Sequence, residues 1–233
     1  MKRCLCAVMT AWMLHVHAAW AGPLDEGLAA ALQGDYGRAF SLFQPLAREG
    51  DASAQFNLGV MYAKGQGVAR NASEAEHWFL LAAGQGEPNA QFNLGVLYES
   101  GQSAMPNFSK AALWYGLSAE KGHAGAQTNL GALYEHGQGV TQDEAQAVQW
   151  YRQAAAQGHA SAQLNLGLMF AKGLGIERDE VRAYMWFALA AMAGESNALQ
   201  NRNVAAQRMT PQQMVQARAL AARCLQRNFL GCD

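Results

Sequence analysis

The chain has 233 residues, 51% of them hydrophobic and 15% charged, with a formal net charge of -1. That apolar content suffices for a sizeable core and excludes a disordered chain. The near-neutral balance argues against a basic nucleic-acid binder, and five prolines beside 24 glycines exclude a collagen-like or proline-rich rod.

The first twenty-one residues read as an address. Lys2 and Arg3 give a positive start, Cys4 to Val16 is mostly apolar, and Ala19 and Ala21 are the small residues a signal peptidase needs. The layout predicts a secretory signal peptide over 1–21, cleaved after Ala21. The apolar stretch is shorter than the roughly 20 residues of a spanning helix. Cys4 and Cys6 lie too early to accept a lipoprotein anchor. No other segment is long and apolar enough to span a bilayer. The expectation is an exported, periplasmic chain with no stable membrane span after cleavage. Its remaining cysteines, Cys224 and Cys232, are then a disulfide candidate, with two reduced thiols as the alternative. Such a bridge contributes roughly 2–3 kcal/mol on chain-entropy grounds.

The body of the chain repeats. Ala54-Gln55-Phe56-Asn57-Leu58-Gly59 returns at Ala90, Ala126 and Ala162, each time after 36 residues. Tyr62, Tyr98, Tyr134 and Phe170 keep the step, as do Trp78, Trp114, Trp150 and Trp186, and Gly86, Gly122, Gly158 and Gly194. A period of this length marks a solenoid, propeller or array. Ala54, Leu58, Met61 and Tyr62 fall at helical spacing. Gly65 and Gly67 then suit a helix stop and turn. Asn71, Asn107, Asp143 and Asp179 are N-cap residues for a second helix, and Asn71 with Glu74, and Asp143 with Gln146, have capping-box spacing. Each unit therefore reads as helix–turn–helix. Glycine in mid-helix at 59 costs about 1 kcal/mol relative to alanine, so its recurrence predicts a close helix approach, with a large aromatic such as Trp78 filling the gap. The tryptophan row reads as core.

The ends diverge. Residues 24–53 form a divergent hairpin, followed by repeats 54–89, 90–125, 126–161 and 162–197. In the cap, 198–227, Ala198 opens a fifth first helix without the Asn-Leu-Gly core. Thr210-Pro211 starts a last helix with Met214, Ala217, Leu220, Ala221 and Leu225 on its apolar side. No low-complexity linker interrupts the array, and 22–233 reads as one continuous domain.

The pattern Ala-Gln-Phe-Asn-Leu-Gly, Gly-x-Gly-Val, Ala-x-x-Trp-Phe and Ala-Ala-x-x-Gly resembles the Sel-one-like repeat, a relative of the tetratricopeptide repeat. The resemblance covers Leu24 to Arg227 and departs from the pattern at Ser103-Ala104 and Thr128. It implies an all-α, right-handed superhelical α-solenoid that holds a partner protein or peptide, without catalysis. The alternative role is a structural part of an envelope secretion, polysaccharide-export or flagellar assembly. A cysteine-rich branch of the family implies β-lactam binding or hydrolysis, but the cysteine pairs of that branch are missing here.

No nucleophile elbow, His-Glu-x-x-His pair or phosphate loop occurs in the sequence. His123 and His159 share a turn position, one repeat or about 10 Å apart, too far for one metal ion. The expectation is no catalytic residue, no cofactor, no metal and no nucleic-acid partner. The candidate partner-binding residues are Asn57, Asn93, Asn129 and Asn165, since an amide donates and accepts at once. The competing reading ties each asparagine to a neighbouring turn. Phe56, Phe92, Thr128 and Leu164, or Lys64, Ser100, His136 and Lys172, are expected to be exposed beside them and to set specificity. Charge is uneven: from Gly22 to Asn197 there are 10 basic and 17 acidic residues, and from Ala198 five arginines face Asp233 alone.

Overall fold

The computed structural model describes residues 22–102 and 105–232. The expected signal segment and the Ser103-Ala104 turn lie outside the described residues. Among the described residues the regular elements are twelve helices, without a strand: α1 (Pro23–Leu32), α2 (Tyr36–Arg48), α3 (Ala52–Lys64), α4 (Ala72–Gly84), α5 (Pro88–Ser100), α6 (Phe108–Glu120), α7 (Ala124–His136), α8 (Glu144–Ala155), α9 (Ala160–Lys172), α10 (Glu180–Met192), α11 (Ala198–Gln207) and α12 (Pro211–Gln226). They form two compact units that divide between Trp78 and Phe79, inside α4. In the first unit α1 packs on α2, and α2 on α3. In the second, α5–α6, α7–α8 and α9–α10 are hairpins, and the second helix of one packs on the first helix of the next. This is the stacked helix–turn–helix arrangement of an α-solenoid.

The helix ends follow from the repeated polar residues. The carboxylate or amide oxygens of Asn107, Asp143 and Asp179 each accept a backbone N–H three residues on, all at 2.9 Å. Asn71 accepts from Ser73 and Glu74 in the same way. Each satisfies donors of the first turn that have no helical partner. First helices stop at Gly65, Gly101, Gly137 and Gly173, all left-handed. Two residues on, Gly67, Gly139 and Gly175 are left-handed too. A Cβ there would sit 2.4 Å or less from backbone at Tyr36, Phe108 and Glu144 respectively. The turn of one repeat thus presses on the start of the preceding repeat's second helix.

The mid-helix glycines close the hairpins, but not onto the tryptophans. A Cβ on Gly95 would meet the Tyr115 ring at 2.4 Å, one on Gly131 the Tyr151 ring at 2.8 Å, and one on Gly167 the Phe187 ring at 2.6 Å. Gly27 stands against Phe43 in the same way. The gap is filled by the residue after each tryptophan, because only that position of the second helix points at the glycine. Tyr115, Tyr151, Phe43 and Phe187 are fully buried. Trp78, Trp114 and Trp150 are half-buried, and Trp186 alone in the row is buried, in the most enclosed helix.

Buried glutamines join one hairpin to the next. The Nε2 of Gln55, Gln91, Gln127 and Gln163 donates to the carbonyls of Ala47, Ala83, Ala119 and Ala155 at 3.1, 3.2, 3.1 and 3.4 Å. Each carbonyl lies in the last turn of the preceding second helix, where it also accepts the N–H of the glycine three residues on, so the glutamine takes up its second lone pair.

The C-terminal cap breaks the pattern. Asn203 stands on α11 where the earlier first helices carry glycine, so no aromatic can dock there, and α12 packs against α10. Thr210 caps α12 in a reciprocal capping box with Gln213. Ala217, Ala221 and Cys224 are buried on α12, while Leu225, expected on that side, is exposed. Cys224 and Cys232 are disulfide-bonded with Cα atoms 5.1 Å apart. The closed loop turns through Asn228 and Phe229, both left-handed, and lays the Phe229 ring on Gly158.

Two glycines in helices separate packing from propensity. Gly131→Ala overpacks Tyr151 and should cost about 1–3 kcal/mol. Gly116→Ala on α6, where a Cβ meets nothing within 4 Å, should stabilise by about 0.5–1 kcal/mol. Urea unfolding of both variants checks this, and equal effects would refute the close-approach account.

Candidate partner-binding face

The residues of interest lie on the first helices. Asn57, Asn93, Asn129 and Asn165 are all half-buried, and the structure gives each a protein partner. The Nδ2 of Asn57 donates to the Ser53 carbonyl and that of Asn93 to the Asn89 carbonyl, both at 2.8 Å. Asn129 and Asn165 instead bond the hydroxyls of Tyr115 and Tyr151. The same hydroxyls donate to carboxylates: Tyr115 to Glu99 Oε2 at 2.5 Å and Tyr151 to Glu135 Oε2 at 2.7 Å. Burial first, and then the carboxylate neighbour, push both tyrosine hydroxyls far above their ordinary pKa. Each Glu–Tyr–Asn chain runs from the end of one first helix, through its hairpin partner, to the first helix of the next repeat.

This chain was readable but unread. Glu99 goes with Tyr115, and Glu135 with Tyr151, 16 residues on. In the flanking repeats Ala63 goes with Phe79 and Ala171 with Phe187. The carboxylate is present where the ring carries a hydroxyl and absent where it does not.

The expected specificity positions divide. Lys64, Ser100, His136 and Lys172 are exposed. Thr128 and Leu164 are buried and Phe56 and Phe92 are half-buried; Phe92 and Thr128 pack on the turn that opens the next repeat. Phe92 stacks on His123 with ring centroids 4.5 Å apart. Thr128 Oγ1 donates to the Ala124 carbonyl at 2.8 Å and lies 3.1 Å from His159 Nδ1. With its hydrogen so used, Thr128 accepts from His159, which places that imidazole's proton on Nδ1. His123 has the opposite tautomer, since its Nδ1 accepts from the Ala126 N–H at 3.1 Å as the N-cap of α7. Burial holds both imidazoles below their ordinary pKa. Both histidines act as turn residues here. Among the described residues no group of three or more His, Cys, Asp or Glu could hold a metal ion.

Three positions after each asparagine stands a residue that sequence reasoning passed over. In the second unit these are Val96, Ala132 and Leu168, all half-buried, and Val204, 41% exposed, three after Asn201. In the first unit Val60 stands three after Asn57. The signal was available, since i and i+3 share a helix face and the apolar type recurs at the 36-residue step. Glu99 and Glu135 follow one turn further on. The first helices of the second unit therefore present parallel rows of amide, apolar and polar groups.

A family model described as Sel1 repeat matches residues 22–51, 52–87, 88–123, 124–159 and 160–195. Its units begin two residues before the sequence repeats as first divided, where α3, α5, α7 and α9 begin. The chain is similar in structure to a Sel1 repeat protein from Oxalobacter formigenes, with 35% identity and a TM-score of 0.70 over 75% of this chain and 72% of that one. It is also similar to a protective antigen present in uropathogenic Escherichia coli strains that displays an SLR fold, with 29% identity and a TM-score of 0.59 over 90% of this chain. The chain spans 54% of that protein's length. No curated protein matches the chain.

Asn129→Ala removes a donor from the buried Tyr115 hydroxyl and should cost about 1 kcal/mol in urea unfolding. Asn57→Ala, which frees a carbonyl of its own helix, should cost less than about 0.5 kcal/mol. Equal losses would contradict the Glu–Tyr–Asn assignment. A second expectation concerns pH. The folded imidazoles of His123 and His159 titrate below their unfolded value of about 6.5, so the unfolded chain takes up protons first. Their contribution to stability is complete above about 6.5 and is lost as pH falls from there through the lower folded values. The melting temperature should drop between about pH 7.5 and 5.5, and the drop should shrink in His123→Asn with His159→Asn. An unchanged drop in the double variant would refute it.

Proposed function

The chain belongs to the Sel1 repeat family, whose members are in general protein-interaction scaffolds, and from that premise we propose an exported, non-catalytic scaffold that holds a protein or peptide partner on its first-helix face. The observation that carries the reading is the set of rows: half-buried amides with half-buried apolar side chains three positions on, at the same place in α5, α7 and α9. Half-buried apolar positions gain from being covered, at about 25 cal/mol per Å² of apolar surface removed from water. The scaffold beneath is uniform, so a partner meets the same geometry at each step.

Export rests on Lys2, Arg3, the apolar stretch Cys4 to Val16, and Ala19 and Ala21. In addition, no helix among the described residues is long and apolar enough to cross a membrane. The Cys224–Cys232 bond fits an oxidising compartment outside the cytosol.

A photo-reactive amino acid placed in the native host tests both halves. At Val96 it should give discrete adducts with a partner, and the adduct's scaffold chain should begin at Gly22. At Leu113, exposed on a second helix, it should give none. Adducts only from Leu113 would move the partner to another face, and an uncleaved N-terminus would overturn export.

A further inference from the structure

Resting on the docking face proposed above, we propose that its occupant is an extended, polyproline-II-like segment with an apolar side chain at every third position, a basic end over α5 and α7 and an acidic end over α9 and α11. The apolar row supplies one side chain per first helix: Val96, Ala132, Leu168 and Val204. The helices α5 and α7 touch, and packed helices lie about 8–10 Å apart. A ligand crossing them must therefore present an apolar group on one side at intervals of about 9 Å.

Chain conformations differ in whether they meet that interval. A polyproline-II segment rises about 3.1 Å per residue with three residues per turn, so every third side chain returns to the same side after about 9.3 Å. A β-strand rises about 3.3 Å and alternates faces. Its second residue falls short at about 6.6 Å, and its third points away. An α-helix reaches a comparable spacing over seven residues, about 10.5 Å, but its backbone groups are already paired. The polyproline-II backbone has none of its groups paired internally. It suits a surface whose second row is amides. Asn93, Asn129 and Asn165 each use an amide hydrogen within the protein, and an asparagine side chain carries a second hydrogen and an acceptor oxygen besides.

Charge sets the direction. Three positions beyond Val96 and Ala132 stand Glu99 and Glu135, each positioned by a buried tyrosine hydroxyl. The equivalent residue on α9 is Ala171, beside the exposed Lys172. The residue that closes α11 is Arg208, whose side chain is 53% exposed while pairing with Glu180 at 3.5 Å. The face is acidic at one end and basic at the other, so a segment of opposite polarity docks in one orientation.

Three fluorescent sixteen-residue peptides of one composition test this. The first is built of Pro-Pro-Leu triplets with two lysines at one end and two aspartates at the other. The second has its leucines moved to alternate positions, and the third has its charged ends exchanged. By anisotropy at low salt, the protein should bind the first about tenfold more tightly than the other two, a difference of about 1.4 kcal/mol. Val204→Asp, at an exposed site, should abolish that binding. Val96→Thr, nearly the same shape, should weaken it without moving the melting temperature. Glu99→Gln with Glu135→Gln should erase the preference between the first and third peptides. Failure of the first peptide to bind, or equal binding of the second, overturns the proposal. Equal binding of all three that Val204→Asp removes overturns the period and direction while upholding the docking face. A dimer in gel filtration that Val204→Asp disperses assigns the face to a second copy and also overturns it.

Discussion

Four hairpins among the described residues depend on a missing side chain. Gly27, Gly95, Gly131 and Gly167 let the partner helix come close enough for a ring to lie on the bare backbone. Glycine inside a helix costs about 1 kcal/mol, and full burial of an aromatic side chain contributes roughly 1.5–3 kcal/mol. The second quantity is the larger, so the exchange is favourable each time. It also fixes geometry, because a ring against a backbone leaves little freedom in helix separation. Where Asn203 stands in the glycine position the exchange cannot be made, and the next helix goes elsewhere, onto α10.

Hairpins alone would not stack in register. The buried glutamines supply that register, since a directional bond to a carbonyl in the previous repeat's last turn forms only at one offset. Those carbonyls already accept the N–H of Gly50, Gly86, Gly122 and Gly158, so what the glutamine amide adds is direction and a net of about 0.5–1.5 kcal/mol per bond. Gln127 carries an additional link, with Gln157 Nε2 donating to its Oε1 at 2.8 Å. Two kinds of contact thus build the array: apolar ones inside a hairpin and amide ones between hairpins.

A scaffold so constrained leaves variation to the face it presents. Glu99 and Glu135 alternate with Ala63 and Ala171 at one position, and Ser100, His136 and Lys172 differ at the next. Those changes leave the closure in place, because the ring rests on the bare glycine backbone and only its hydroxyl reaches the carboxylate one turn on. The Glu–Tyr–Asn chains couple the two levels. The hydroxyl that positions the carboxylate belongs to the ring that fills the glycine gap, so a specificity group is held by a packing residue.

The 36-residue step, the helical spacing of Ala54, Leu58 and Met61, the caps at Asn107, Asp143 and Asp179 and the stops at Gly65 and Gly173 were all legible from order along the chain. They are local properties: a cap bonds three residues away, and a periodic stripe needs only its own helix. Which aromatic meets the glycine was not legible, because Trp114 and Tyr115 are neighbours in sequence and point to different sides. Nor was the role of Gln127, whose partner lies eight residues back across a turn, or that of Asn129, whose partner Tyr115 belongs to another hairpin. Thr128 looked variable and open until the packed turn covered it. Sequence by itself determined the repeat, its helices and their ends, because those depend on neighbours along the chain. Only tertiary structure decided which side chains face the gap, the joint or the solvent, because that depends on groups brought together by folding.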